Sequence, residues 1–290
     1  MFDLPDSPPA DFADLQRQLE VSARRRVEVP PGHDVVTLEG DAWPDGKSLS
    51  VNLSGCGMTV DADPGGVPDH LKPPKIVGDR QPGPTFESFR VDGDPLLLDV
   101  VGAGEVAAVV RVEGQRVAFE SGKDKHGNWA MAPASGTLEA TVSVDKNAML
   151  AVIETRAKAE AAERGVVIEK LIADVSAPSE RVARVAGRIE GSKKVAFFNA
   201  TFAVDFVAEL TAEADAAGEL TGRVTTLDLH GDGAVMNMLL SAAKPAIAKV
   251  KERPLPLGDV LAAAGVAGLK VRDVKVSADH RLSLWATFGA

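Results

Sequence analysis

The stretch from Val195 to Leu210, VAFFNATFAVDFVAEL, constrains the fold more tightly than any other part of the chain. Counting in twos from Ala196 gives Ala196, Phe198, Ala200, Phe202, Val204, Phe206, Ala208 and Leu210, all apolar. The alternate set, Val195, Phe197, Asn199, Thr201, Ala203, Asp205, Val207 and Glu209, is mixed and turns more polar toward its end. Successive side chains of a strand point to opposite faces, so this is a strand with one apolar face and one wet face. At about 3.3 Å per residue it spans roughly 50 Å, well beyond an ordinary strand. Parallel strands are buried on both faces and lose such alternation, so the pattern predicts a large, curled antiparallel sheet. What covers the apolar face then decides the function: helices would make an ordinary core, and a lipid would make a carrier.

The rest of the chain supplies both sheet and helices. Asp11 to Arg26 reads as a helix capped by Asp11, with Phe12, Leu15 and Leu19 on one stripe. Arg24, Arg25 and Arg26 close it, where cations suit the helix dipole, and they form either a solvated end or a surface for anionic headgroups. Leu49, Val51 and Leu53 alternate with serines and Asn52. Asp61 to Pro84 carries six prolines and reads as a long loop, with a lid or portal as its functional reading. Strands and turns follow from Phe86 to Val144. The period then switches to helical: Asp145 is a good cap, Met149, Val152, Ile153, Ala157 and Ala161 share a face, and Gly165 is a fitting stop. Strands resume at Val166–Val175, Arg181–Ile189 and Leu220–Leu229, with Gly218 at a turn. A second main helix is expected from Asp232 to Val250, kinked by Pro245, followed by a short helix at Asp259–Ala264 and a terminal hairpin turning at Asp279-His280. Residues 1–30 read as an N-terminal helix and linker, and 31–290 as one domain.

Charge and composition exclude several classes. Forty-two acidic residues face 32 basic ones, and the net charge of −10 lacks the basic footprint of a nucleic-acid binder. Apolar residues make up 45% of the chain, enough for a substantial core. Cys56 is the sole cysteine, so no intrachain disulfide or thiolate cluster is available. The N-terminus has no charged region followed by an apolar one, and no apolar run reaches the roughly 20 residues of a membrane span. The expectation is a soluble, cytoplasmic protein, with an envelope location open if a leader has been removed.

Catalytic signals are absent from the sequence. The five histidines are scattered, and none has a second ligand at metal-binding spacing. No nucleophile elbow, phosphate-binding loop or dinucleotide fingerprint occurs. Asp92-Gly93-Asp94 lacks the rest of a calcium loop and reads as a hairpin turn. The expectation is a non-enzymatic protein with no cofactor and no metal. The positive signal is the apolar face. Phe198, Phe202 and Phe206 recur every four residues, with Ala200 and Val204 leaving notches between them. With Met149, Ile153, Met236, Leu239 and Leu240 from the two helices, these residues are the candidate lining of a groove. Two readings stay open: a filled core serving a structural or protein-interaction module, or a slot that holds acyl chains.

The segment Ser143-Val144-Asp145-Lys146-Asn147-Ala148-Met149-Leu150 resembles the strand-to-helix entry of the LmeA-like phospholipid-binding family, part of the tubular lipid-binding (TULIP) superfamily. The similarity continues through the strands from Val166 to Leu229 and the ending LPLGDVLAAAGVAGLKVRDVKVSADHRLSLWATF. It covers residues 137–290 best. The resemblance implies an α+β fold in which a long, highly curved antiparallel sheet wraps two main helices, with a short N-terminal helix beside it. It implies non-catalytic binding or transfer of a phospholipid or fatty-acyl amphiphile, with transient membrane-surface contact.

Overall fold

A computed structural model of the chain describes residues 2–4, 7–60, 76–195, 198–214, 220–231 and 269–289. Strands β1 (Phe2–Leu4), β2 (Val36–Ala42), β3 (Asp45–Asn52), β4 (Gly57–Val60), β5 (Ile76–Val100), β6 (Gly104–Asp124) and β7 (Trp129–Asp145) join the C-terminal hairpin of β12 (Lys270–Ala278) and β13 (Arg281–Gly289) in one nine-stranded sheet. Its order is β12-β13-β7-β6-β5-β3-β2, with β1 also paired to β7 and β4 to β5. A four-stranded antiparallel sheet is built from β8 (Val166–Ser179), β9 (Val182–Val195), β10 (Phe198–Ala214) and β11 (Leu220–Gly231), in the order β11-β10-β9-β8. Two helices, α1 (Phe12–Arg26) and α2 (Lys146–Glu163), complete the described residues. The fold is therefore α+β and dominated by sheet. The large sheet is mixed, because β3 and β4 both run parallel to β5.

Length explains this arrangement. β5 has 25 residues and β6 has 21, so one edge of β5 has room for β3 at Thr85–Asp92 and β4 at Leu97–Val100. β7 likewise takes β1 at Trp129–Met131 and β13 at Thr137–Asp145. Val112, Val117, Phe119, Leu138 and Ala140 alternate onto one face and meet Phe86, Phe89 and Val91 of β5 in the core. Phe119 packs edge-to-face on Phe89 and Phe86, with ring centroids 5.7 and 6.0 Å apart. α1 closes this core with Leu15 and Leu19, which are fully buried. As the sequence predicts, Asp11 caps α1, accepting from the Asp14 N–H at 2.8 Å. Its basic end turns to its own chain: Arg24 pairs with Glu20 at 2.7 Å, and Arg26 with Asp3 at 2.6 Å.

The two sheets meet at one seam. Val276 of β12 donates its N–H to the Glu180 carbonyl in the β8–β9 turn, and Ala212 of β10 donates to the Arg181 carbonyl. Ala212 and Leu220 belong to the same buried cluster as Val271 and Val274.

Three expectations are corrected. Residues 76–84 are not loop but the start of β5. Their pairing to β6 slips between Ile76 and Arg80 and again between Pro82 and Thr85, and β3 begins pairing only at Thr85. The prolines thus sit at an irregular edge, the part of a sheet where a missing N–H is tolerated. Asp92-Gly93-Asp94 is not a hairpin turn but lies within β5, at a register shift between Gly93 and Leu96. The long alternating strand starts at Phe198 rather than Val195, because Val195 closes β9 and pairs with Phe198. Residues 61–75, the turn at Gly218, and the second main helix with the link and short helix after it lie outside the described residues.

Candidate functional site

The register of the four-stranded sheet assembles the apolar face predicted for β10. Phe206 stands between Gly187 of β9 and Leu229 of β11, Val204 beside Ile189, and Ala208 between Val185 and Leu227. β8 extends the face with Leu171 beside Ile189, Ala173 beside Gly187 and Val175 beside Val185. Partnered residues of antiparallel strands share a face, so these side chains form one apolar surface across four strands.

Two glycines shape this surface. Gly187 and Gly191 are four residues apart on β9 and pair with Phe206 and Phe202, four apart on β10. A methyl group placed on either glycine would lie 2.8 Å from the ring Cζ of its partner phenylalanine. The rings therefore lean across β9 and lie over bare backbone, the arrangement in which an aromatic shields a strand glycine. On their other side the glycines press on β8, so that an added methyl would also strike the carbonyl oxygens of Ile172 and Val167. The rings thus cover the gaps that the two glycines leave on β9, rather than the notches expected at Ala200 and Val204 of β10, and the face is flattened there.

Burial along the face is uneven. At the seam Val175, Ala212 and Leu220 are 1–2% exposed, and Ala212 and Leu220 belong to the main core. Farther along, Phe202, Phe206, Ala208 and Leu210 are only half-buried, while Val204 between the two phenylalanines is buried. α2 packs against β8 and the ends of β6 and β7. Its first turn is held by Lys146, whose Nζ donates to Asp174 at 2.9 Å and to the Val175 carbonyl at 3.3 Å. No residue of α2 is fully buried.

Among the candidate lining residues, Phe202 and Phe206 share the sheet face. Met149 is half-buried on α2, and Ile153 is 41% exposed on the same helix. α2 lies on the β8 side, two strands away from β10. Phe198 belongs to β10, but its side chain, like Met236, Leu239 and Leu240, lies outside what is described. Reading the sequence for large residues missed Gly187 and Gly191. Their signal was present as a four-residue glycine spacing that matches the phenylalanine spacing on the neighbouring strand.

The opposite face of this sheet is charged and paired. Arg188 bonds Glu190 at 3.0 Å and Asp205 at 3.1 Å, and Arg184 lies 4.0 Å from Glu209. A shallow depression of about 260 Å³ lies there, lined by Asp205, Glu209, Thr226, Asp228 and His230. Among the described residues, no group of three metal-ligating side chains converges. Cys56 is fully buried, and its burial pushes the thiol pKa up, which keeps it protonated. No described helix is long and apolar enough to cross a membrane. No family model, curated protein or solved structure gives a significant match to this chain.

Proposed function

We propose that the protein binds or transfers a phospholipid or similar fatty-acyl amphiphile, without catalysis, on the apolar face of the β8–β11 sheet. The observation that carries this reading is the half-buried apolar surface around Phe202 and Phe206. A core sealed by its own chain buries such rings fully, as it does Phe86, Phe89 and Phe119. Folding the rings over Gly187 and Gly191 lowers the face, leaving a surface against which extended chains can lie. β10 has 17 residues and is roughly 56 Å long, ample for an acyl chain laid along it. Each methylene taken from water contributes about 0.8 kcal/mol, so binding strength follows buried chain length, with the headgroup giving selectivity. The wrapped, tubular arrangement implied by the resemblance to TULIP proteins belongs to this proposal.

Native mass spectrometry of the purified chain, followed by solvent extraction and lipid analysis, tests it. The expected result is a stoichiometric adduct of lipid mass. Phe202→Glu sets a charge on the apolar face and is expected to abolish the adduct while the strand spectrum by circular dichroism is kept. A folded Phe202→Glu protein that still carries lipid would show that this face is not the lining. A wild-type protein that takes up no lipid when offered phospholipid vesicles would favour a filled core acting as a structural or interaction module.

A further inference from the structure

The edge strand β11 is symmetric about its own midpoint. β10 pairs with its inner edge, and among the described residues no strand pairs with its outer one. The pairing to β10 slips at the middle of the strand. Glu209 pairs with Thr226 and Leu210 with Val224, so Thr225 is an extra residue, a β-bulge. The Thr225 hydroxyl lies 3.5 Å from that of Thr211, and the Thr226 hydroxyl donates to the Glu209 carboxylate at 2.9 Å, so both threonines sit on the polar face. On either side of the bulge the faces alternate again. Thr221, Arg223, Asp228 and His230 lie on the polar face, and Gly222, Val224, Leu227 and Leu229 on the apolar one. β11 has 12 residues, Leu220–Gly231, so Thr225 and Thr226 stand at its centre. The sequence of faces is therefore the same from either end.

We infer that β11 pairs antiparallel with β11 of a second copy of the chain, about a two-fold axis through the bulge. Opposite residues of antiparallel strands share a face. A bulge guards an edge, since a regular strand that matches its faces on one side of the extra residue mismatches them on the other. A second copy carries the same extra residue at the same place, so its faces match over the whole strand. In that register Arg223 stands opposite the partner's Asp228, Val224 opposite the partner's Leu227, and Gly222 opposite the partner's Leu229. The two-fold makes each pair twice. Charge complementarity supports the same register. Arg223 and Asp228 are exposed, and Arg223 reaches its own Glu213 only at 3.9 Å. Asp205 and Glu209, on the same face, lie beside Arg188 and Arg184 of β9. That leaves Glu213 and Asp228 beside one arginine on each copy, and pairing places Arg223 between its own Glu213 and the partner's Asp228. His230 stands opposite the partner's Thr221. One carboxylate per copy stays in excess, so backbone hydrogen bonds and apolar pairs carry the affinity, and the charges fix the register. The apolar faces of the two copies become continuous across the axis. This pairing needs no bound lipid and goes beyond the cargo reading.

The test is sedimentation velocity of the full chain from about 1 to 100 μM. The expected result is a concentration-dependent dimer. Arg223→Asp and Asp228→Arg each set like charges opposite one another twice per dimer, and each is expected to weaken association roughly 10-fold. A mixture of the two variants regains both opposite-charge pairs in the heterodimer, and is expected to associate more tightly than either variant alone. Both side chains are exposed and lie on the face opposite Phe202 and Phe206. Circular dichroism and the lipid adduct seen by native mass spectrometry are therefore expected to be unchanged in both. Loss of the dimer with the adduct intact separates this pairing from the carrier reading, and a dimeric wild type without lipid would count against the carrier reading alone. A monomer throughout the concentration range, a dimer that neither variant weakens, or a mixture no tighter than its components would overturn the pairing.

Discussion

At the scale of single residues, Gly187 and Gly191 carry the tightest constraint in the candidate site. Neither adopts a left-handed backbone, so any side chain is conformationally allowed and the restriction is purely one of space. The space is closed on one side by a phenylalanine ring, which can rotate. On the other it is closed by the β8 carbonyls of Ile172 and Val167, which cannot move without parting two strands. Gly191→Ala is accordingly expected to destabilise the fold by about 1–3 kcal/mol, the usual range for overpacking, read as a lower urea midpoint. Adding Phe202→Leu removes the ring's part of the clash and should recover some of that loss, leaving the backbone part. If the double variant is no better than the sum of its single changes, the ring does not lie on the glycine. The sequence showed the phenylalanines because periodicity is carried by large residues. It hid the glycines because their role appears only once the register of β9 on β10 is known.

Among the elements, α2 shows how a helix with no fully buried residue is kept in place. Its cap, Asp145, accepts from the Ala148 N–H at 2.9 Å, which was legible from the period switch after Val144. Its anchor, Lys146 on Asp174, joins residues 28 apart and was not legible, since only the close approach of β8 brings them together. The hydrogen bond from Lys146, with its charge, holds the Asp174 carboxyl below its ordinary value of 3.8. A carboxyl depressed in the folded state contributes stability above its unfolded pKa and loses it as pH falls through the folded one. The expected outcome is that Asp174 titrates below 3.8 by carboxyl NMR, and that the protection factors of amides in the first turns of α2 fall as pH drops through its folded pKa. In Lys146→Met the Asp174 titration should return toward the ordinary value. Its α2 amides should already exchange faster at neutral pH. β5 shows the opposite case of legibility. Six prolines from Asp61 to Pro84 argued against a strand, but Pro82 and Pro84 lie in β5, whose 25 residues include edge stretches that pair on one side only, where prolines do little harm.

Across the whole molecule, the seam between the two sheets sets a gradient of stability along β10. Near Ala212 the strand is tied to the main core through Leu220, Val271 and Val274, and through backbone bonds to the β8–β9 turn. Toward Phe202 its apolar side chains are half-buried apart from Val204, which is buried. Local opening follows buried apolar contact, so the two ends of one strand should open with different free energies. In the lipid-free protein, hydrogen exchange is expected to show the highest protection around Ala212, with protection falling toward Phe202. Adding a phospholipid should slow exchange selectively at Phe202 to Ala208 and at Gly187 to Gly191, because a chain laid on that face supplies the burial that the seam supplies elsewhere. The pattern of exchange therefore distinguishes a face that a lipid covers from one that the chain already seals. Uniform protection along β10 without lipid would mean that the face is already sealed, and the carrier reading would give way to a filled core.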